Sequence, residues 1–283
     1  ELLRGAFGNK TYLATTISRA VPLIFTGLSV ALSLRCGMFN IGAEGQLYLG
    51  AMTVAILGLY MENIPRLIAI PLLLIAGFLG GMFGGWLIGV LRTRFQISEV
   101  IAAIMLNYVF KLFTSYLASG PFSSGETSVQ TVKLSTDLSL TTLIKSTKLT
   151  TAILIALAIV ILMTVFLNKT TLGFKLRAVG YNASAAGASG INARRLMLLT
   201  MGVCGGLAGL AGTCEVLGSY HRFIEGFSPS YGFTGIAVAI LGRSNPFGVV
   251  LTSLMFAILD SGALRMARVT SVSSSVVVVI QSL

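Results

Sequence analysis

Charge is what this sequence has least of: 10% of its 283 residues are Asp, Glu, Lys or Arg, against about 25% in an ordinary soluble domain. A water-facing surface cannot be built from so few charges, so a soluble globular protein is excluded. Histidine occurs once, at His221, and cysteine only at Cys36, Cys204 and Cys214, in or beside apolar stretches. Neither a disulfide framework nor a zinc spacing can be drawn from that set. No Gly-rich loop ends in Gly-Lys-Ser/Thr, so the chain should not itself hydrolyse nucleotide. The alternating ten-residue strands of a membrane β-barrel are missing as well.

What is present is apolar, with 55% hydrophobic residues and a mean hydropathy of +0.89. The uncharged runs Leu67–Leu91, Leu149–Asn168 and Leu196–Cys214 approach or exceed the ~18–20 residues that cross a bilayer. An all-α polytopic membrane protein follows, because in lipid each backbone N–H must find its acceptor within its own segment. The runs predict spans over 18–35, 43–61, 67–91, 98–118, 149–168, 196–218, 230–242 and 246–264, with a partial one from about 270. The chain starts at Glu1 and stops within an apolar run after Val276, so part of a helix is expected to be missing at each end.

Loop charge orients the spans. The 169–195 connection holds Lys169, Lys175, Arg177, Arg194 and Arg195 and no acid, which marks it as cytoplasmic. Counting outward places the polar 119–148 loop outside, and Arg35, Arg92, Arg94 and Arg243 inside. Arg265 and Arg268 fall on the wrong side, while the short turns otherwise follow the rule. The net charge of +11 is therefore read as loop charge, with no nucleic-acid partner. The 119–148 loop is either a docking surface or a solvated connection.

Glycines recur every four residues at Gly77, Gly81, Gly85 and Gly89, and again as Gly202/Gly206 and Gly205/Gly209. That spacing gives each helix a smooth strip where another backbone can approach closely. Val54–Gly58 and Val238–Gly242 share the run VAILG in spans predicted to run oppositely, a faint sign of an inverted repeat.

Three stretches could carry function. Gly37–Gln46 sets Asn40, Glu44 and Gln46 among glycines where a simple turn would suffice. A carboxylate at membrane depth marks a pathway by default, whereas at the interface Glu44 would merely cap the next helix. Glu225–Phe233 alternates aromatics with small residues, so Phe227 and Tyr231 belong either to a re-entrant mouth able to stack a planar solute or to an interfacial aromatic belt. In the cytoplasmic loop, Asn182 is a good N-cap and Gly190 a good stop for a short helix holding Ala183, Ala186 and Gly187. Too short to stand alone, such a helix suits a groove in another protein; an ordinary basic loop is the alternative. Asn107 either bonds between helices or faces a path. Glu215 and Asp260 are expected to be capped or paired, and no metal site is expected.

These stretches resemble the permease subunits of bacterial ABC importers in the branched-chain amino acid, ribose and nucleoside group. The matching residues are Phe39–Gln46 (FNIGAEGQ), Ser98–Ile101 with Met105–Tyr108, Leu172–Gly180 (LGFKLRAVG), Gly202–Gly212, Glu225–Pro229 (EGFSP) and Gly235–Gly242. Within the group the chain looks most like the larger permease of nucleoside importers. The resemblance implies a type II importer-like permease, a single domain over 1–283 with about nine of ten helices represented, in the cytoplasmic membrane of a bacterium. It implies that 172–192 holds the coupling helix, with Gly180, Asn182, Ala183, Ala186, Gly187 and Gly190 at the ATPase; Tyr181 and Ser184 depart from the commoner residues there. It favours pathway lining for the Glu44 stretch. Since a neutral polar solute needs hydrogen-bonding groups and stacking faces, the expected pathway residues are Asn40, Glu44 and Gln46 with Asn107, Phe227 and Tyr231. The partners it implies are an ABC ATPase subunit carrying ATP and Mg, a second and different permease, and an extracytoplasmic nucleoside-binding lipoprotein. No cofactor is expected on this chain. Rival readings are a ribose-type sugar permease and an ion-coupled secondary transporter; an intramembrane enzyme is disfavoured for want of a nucleophile–base pair.

Overall fold

The computed structural model describes residues 7–144 and 147–269. Its helices are α1 (Lys10–Arg35), α2 (Ala43–Tyr60), α3 (Arg66–Phe95), α4 (Glu99–Ser119), α5 (Ala152–Lys169), α6 (Thr171–Tyr181), α7 (Ala183–Ala188), α8 (Ala193–Glu215), α9 (Tyr231–Leu241) and α10 (Pro246–Val269). A π turn, Val216–Tyr220, extends α8. Among the described residues strand pairing is limited to isolated bridges, and six helices are long and apolar enough to cross a membrane. The span expected from about 270 lies outside the described residues.

Helices α1, α2 and α8 form the centre. The stretch Ala20–Ser33 of α1 is buried throughout. By contrast α3 and α5 turn Leu79, Phe83, Ile161 and Leu162 outward, as helices bathed in lipid chains should. Lipid is as apolar as these side chains, so close packing has to hold the centre together. The glycine strips serve that end. Gly77, Gly81 and Gly85 of α3 lie backbone to backbone against Gly205 and Gly209 of α8, and Gly50 of α2 meets Gly209 from another side.

Two helices begin inside the bundle. After Arg35 the chain turns back up: Met38 N–H bonds Ser33 O (3.0 Å) and Asn40 N–H bonds Ser33 Oγ (3.2 Å). Gly42 then packs on Ile88, about 10 Å short of the α3 end at 1.5 Å per residue. From there α2 runs outward. On the other side, residues 221–230 descend from the outer end, and α9 starts level with Thr26 of α1, whose hydroxyl donates to Tyr231 O (3.1 Å). Ser228 Oγ caps it by accepting from Tyr231 N–H (3.1 Å). Thus α2 and α9 start side by side and run in opposite directions, and the two VAILG runs lie toward their far ends.

The polar outer connection packs down on the bundle. Leu134, Leu138 and Leu140 are buried. Its backbone pairs with the descending segment through Leu134 N–His221 O (2.8 Å), Thr131 N–Phe223 O (3.0 Å) and Glu225 N–Val129 O (3.0 Å). His221 sits half-buried at this seam; burial first, and the Lys133 charge second, hold its imidazole below the usual histidine range. Arg265, on the outer side against the charge rule, has its guanidinium carbon 4.9 Å from the centroid of the Tyr12 ring, so the cation rests on an aromatic face. At the opposite end, the stretch read as a loop with one short helix holds two. Thr170 caps α6 by accepting from Gly173 N–H (3.0 Å), and Asn182 caps α7.

Candidate functional site

The carboxylate of Glu44 lies where the two inner helix starts meet. Its side chain has 0% exposure. Oε2 accepts from Gly232 N–H at 2.7 Å, while Glu44 itself stands in the first turn of α2. Two helix N-termini, each carrying roughly half a positive charge, therefore face one carboxylate. That field offsets much of the cost of burying it. Oε1 makes no hydrogen bond; the ammonium of Lys111 on α4 stands 3.5 Å away, with its Nζ 5.1 Å from the centroid of the Tyr48 ring.

The neighbouring polar residues are knotted together. Asn40 and Gln46 form a reciprocal amide pair, Asn40 Nδ2 to Gln46 Oε1 at 2.8 Å and Gln46 Nε2 to Asn40 Oδ1 at 3.0 Å. Asn40 also donates to Ser29 Oγ (3.0 Å), which donates to Cys204 O (2.7 Å) on α8. Asn107 spans from α4, accepting from Gly45 N–H (2.8 Å) and donating to Ile41 O (3.0 Å). The amides of Asn40, Gln46 and Asn107 thus clasp the re-entrant turn to α1 and α4. In Asn107→Ala the amide of Gly45 and the carbonyl of Ile41 would be stranded, each at ~1–3 kcal/mol when buried. Thermal midpoints of the purified complex should fall while KM for the carried solute stays put; a KM change at full stability would place Asn107 on the path.

Phe227 lies in an aromatic cluster, 5.0 Å from Tyr48, 5.7 Å from Phe223 and 6.0 Å from Tyr220 between ring centroids. Tyr231, one of the six expected pathway residues, lines an open cavity. This chamber, about 660 Å³, lies toward the outer end between α1, the π turn, α9 and α10. Its walls include Tyr12, Arg19, Lys148, Glu215, Tyr220 and Ser261. Arg19 pairs with Asp260 of α10, and Lys148 Nζ lies 5.6 Å from the Tyr220 ring centroid. The sequence reading anticipated pairing at Asp260 but not the chamber. Thr11, Thr15 and Ser18 were the available signal, a hydroxyl-rich approach to an apolar run.

At the inner end, α7 has the frame its sequence suggests. Asn182 Oδ1 accepts from Ser184 and Ala185 N–H (both 3.0 Å), and Gly190 closes the helix at φ +81° with Ile191 N–H bonded to Ala186 O (3.0 Å). The six expected contact residues divide. Asn182, Gly187 and Gly190 are exposed and Ala183 partly so, whereas Ala186 is buried. Gly180 is pressed against Arg35 and Cys36 at the end of α1, so it fixes the α6 position within this chain.

A multi-pass bundle with two helices starting at its centre and a small exposed helix at its basic end defines a membrane permease. The chain belongs to the family described as branched-chain amino acid transport system / permease component, which it matches over residues 12–281. It is 36% identical to the nucleoside ABC transporter permease protein NupB of Lactococcus lactis, over 93% of this chain and 75% of that one. To the guanosine ABC transporter permease protein NupP of Bacillus subtilis it is also 36% identical, over 98% and 80%. To the glucose ABC transporter permease protein TsgB13 of Haloferax volcanii it is 35% identical, over 100% and 76%. No solved structure matches. The protein is a multi-pass transport subunit of a cell membrane.

Proposed function

We propose that this chain carries nucleosides across the membrane as one of two permease subunits in an ATP-driven importer. The observation that carries the reading is the likeness, along nearly the whole chain, to two permeases from different organisms named for nucleoside and guanosine. Hydroxyl groups and aromatic rings, which the chain offers at the exposed Tyr12 and Tyr108 and the half-buried Tyr220, suit a planar, uncharged, polar solute. In this reading ATP and Mg bind a separate ATPase, whose closure is felt here through α7. A binding protein delivers solute from outside, and the solute passes along the joint with a second permease. A sugar is the second reading, favoured by the 35% identity to the glucose permease.

Uptake of labelled uridine or guanosine in cells carrying the whole system separates the two. Unlabelled nucleosides should compete, while glucose and ribose at the same concentration leave uptake unchanged. Accumulation of labelled glucose with nucleosides inert would overturn the nucleoside assignment.

A further inference from the structure

Lys111 is out of place for a helix that only faces lipid. It lies within α4 (Glu99–Ser119), about 12 Å from the outer end and 18 Å from the inner at 1.5 Å per residue. A charge at such depth costs about 2.5–3.5 kcal/mol on insertion scales, and long side chains escape it by reaching toward the nearer interface. This one does not. Its ammonium points back toward Glu44 at the inner start of α2, yet the side chain is 38% exposed. Glu44 does not use it up, because Oε2 is bonded to Gly232 and the 3.5 Å contact at Oε1 is beyond a good charge-assisted bond. The three N–H donors find no hydrogen-bond acceptor among the described residues.

The surroundings show what would use them. Positions three and four apart share a helix face, so Tyr108, Lys111, Leu112 and Ser115 form one strip on α4. Tyr108 and Leu112 are exposed there, and Ser115 Oγ donates to Glu225 (2.6 Å). An open ring, an ammonium with spare donors and a hydroxyl–carboxylate pair thus follow one another along a single face.

We propose that Lys111 is a solute-contacting, specificity-determining residue, lining a water-filled path and donating to a ring carbonyl or ribose oxygen while Tyr108 offers its ring to the base. The base and ribose in this proposal rest on the nucleoside reading above; the aqueous contact at Lys111 does not. Glu44 and Tyr48 hold the ammonium in place.

The test is Lys111→Cys in the whole importer, treated from outside with a membrane-impermeant methanethiosulfonate. Cys36, Cys204 and Cys214 are buried, so this chain adds little background, and labelling is scored on this subunit against the importer without the substitution. Labelling is expected, slowed several-fold by saturating guanosine and unchanged by glucose. In parallel, Lys111→Gln should raise KM for uptake about tenfold while ATPase activity without solute is retained, and Lys111→Arg should recover part of the loss. No labelling, or labelling without protection by any imported solute, overturns the proposal. So does full recovery of a defective Lys111→Met by a second change, Glu44→Gln, since the lysine would then only balance charge. Should the native importer carry glucose alone, the nucleoside reading falls, and protection by glucose would keep the contact while cancelling the base and ribose assignment.

Discussion

Gly209→Ala is expected to cost about 3 kcal/mol or more, at or beyond the upper end for overpacking a tight core, and to leave little folded protein after extraction in mild detergent. A Cβ there would stand 2.5 Å from Gly77 O and 2.9 Å from the Gly81 Cα. Both are backbone atoms of α3, so no rotamer change relieves the clash. Moving α3 away would open the joint that Gly81 and Gly85 share with Gly205, and Gly50 of α2 presses on Gly209 as well. Helices α3 and α8 would have to separate to admit one methyl group. The control lies in the same glycine-rich helix. At Gly202 the nearest atom to a new Cβ is the Cγ of Met82 at 3.5 Å, an ordinary contact, and alanine gains up to ~1 kcal/mol in helix propensity over glycine. Gly202→Ala should therefore leave the thermal midpoint and yield unchanged or improved. Equal loss from both substitutions would mean that the helix surface as a whole, not this joint, holds the centre together.

That contrast marks what the sequence could tell. Four-residue glycine spacing announces a close approach, but it cannot say which glycine touches backbone and which touches a flexible side chain. The helix bounds were legible for a similar reason: 43–61 became Ala43–Tyr60 and 230–242 became Tyr231–Leu241, since apolar length between polar breaks is a local property. Neither, however, is among the six helices long and apolar enough to cross a membrane. Helix α1 starts earlier than its apolar run because Thr11, Thr15 and Ser18 stay helical while facing the outer chamber. Hydropathy reads such turns as loop.

The site was legible only in part. FNIGAEGQ stood out because a carboxylate and two amides among glycines have no business in a simple turn. What they do depends on partners far along the chain: Gly232 for Glu44, Asn107 for Gly45, Cys204 by way of Ser29. Lys111 escaped notice altogether. One lysine in an apolar run reads as a tolerated exception until its distance from Glu44 and its exposure are known together. Glu215 and Arg19 likewise come into one chamber only through the packing of α1 against α8 and α10.

The second large effect concerns the inner end, where Gly187→Trp should reduce uptake more than tenfold while this chain folds and inserts normally. Nothing lies within 4 Å of a Cβ at Gly187, and the residue is exposed, so the indole side chain sets out into open space. If α7 is seated in a groove of the ATPase, the ring instead meets that partner, and solute import and ATPase co-purification should fall together. Gly180 separates this from mere damage to the region. A Cβ there would be 2.9 Å from the Arg35 carbonyl carbon and 3.2 Å from that of Cys36, so Gly180→Ala should pry α6 from the end of α1 and lower the thermal midpoint of the permease alone. Asn182→Ala falls between them. It removes the acceptor for two N–H groups of a helix of only six residues, worth about 1 kcal/mol at an N-cap, which loosens α7 without unseating α6. The ordering follows from physics: Gly180→Ala acts on the fold, Gly187→Trp on the partner contact, Asn182→Ala weakly on both. If Gly187→Trp imports at the native rate, α7 does not receive the ATPase stroke, and the exposed face of α6 around Leu172 and Phe174 becomes the surface to probe.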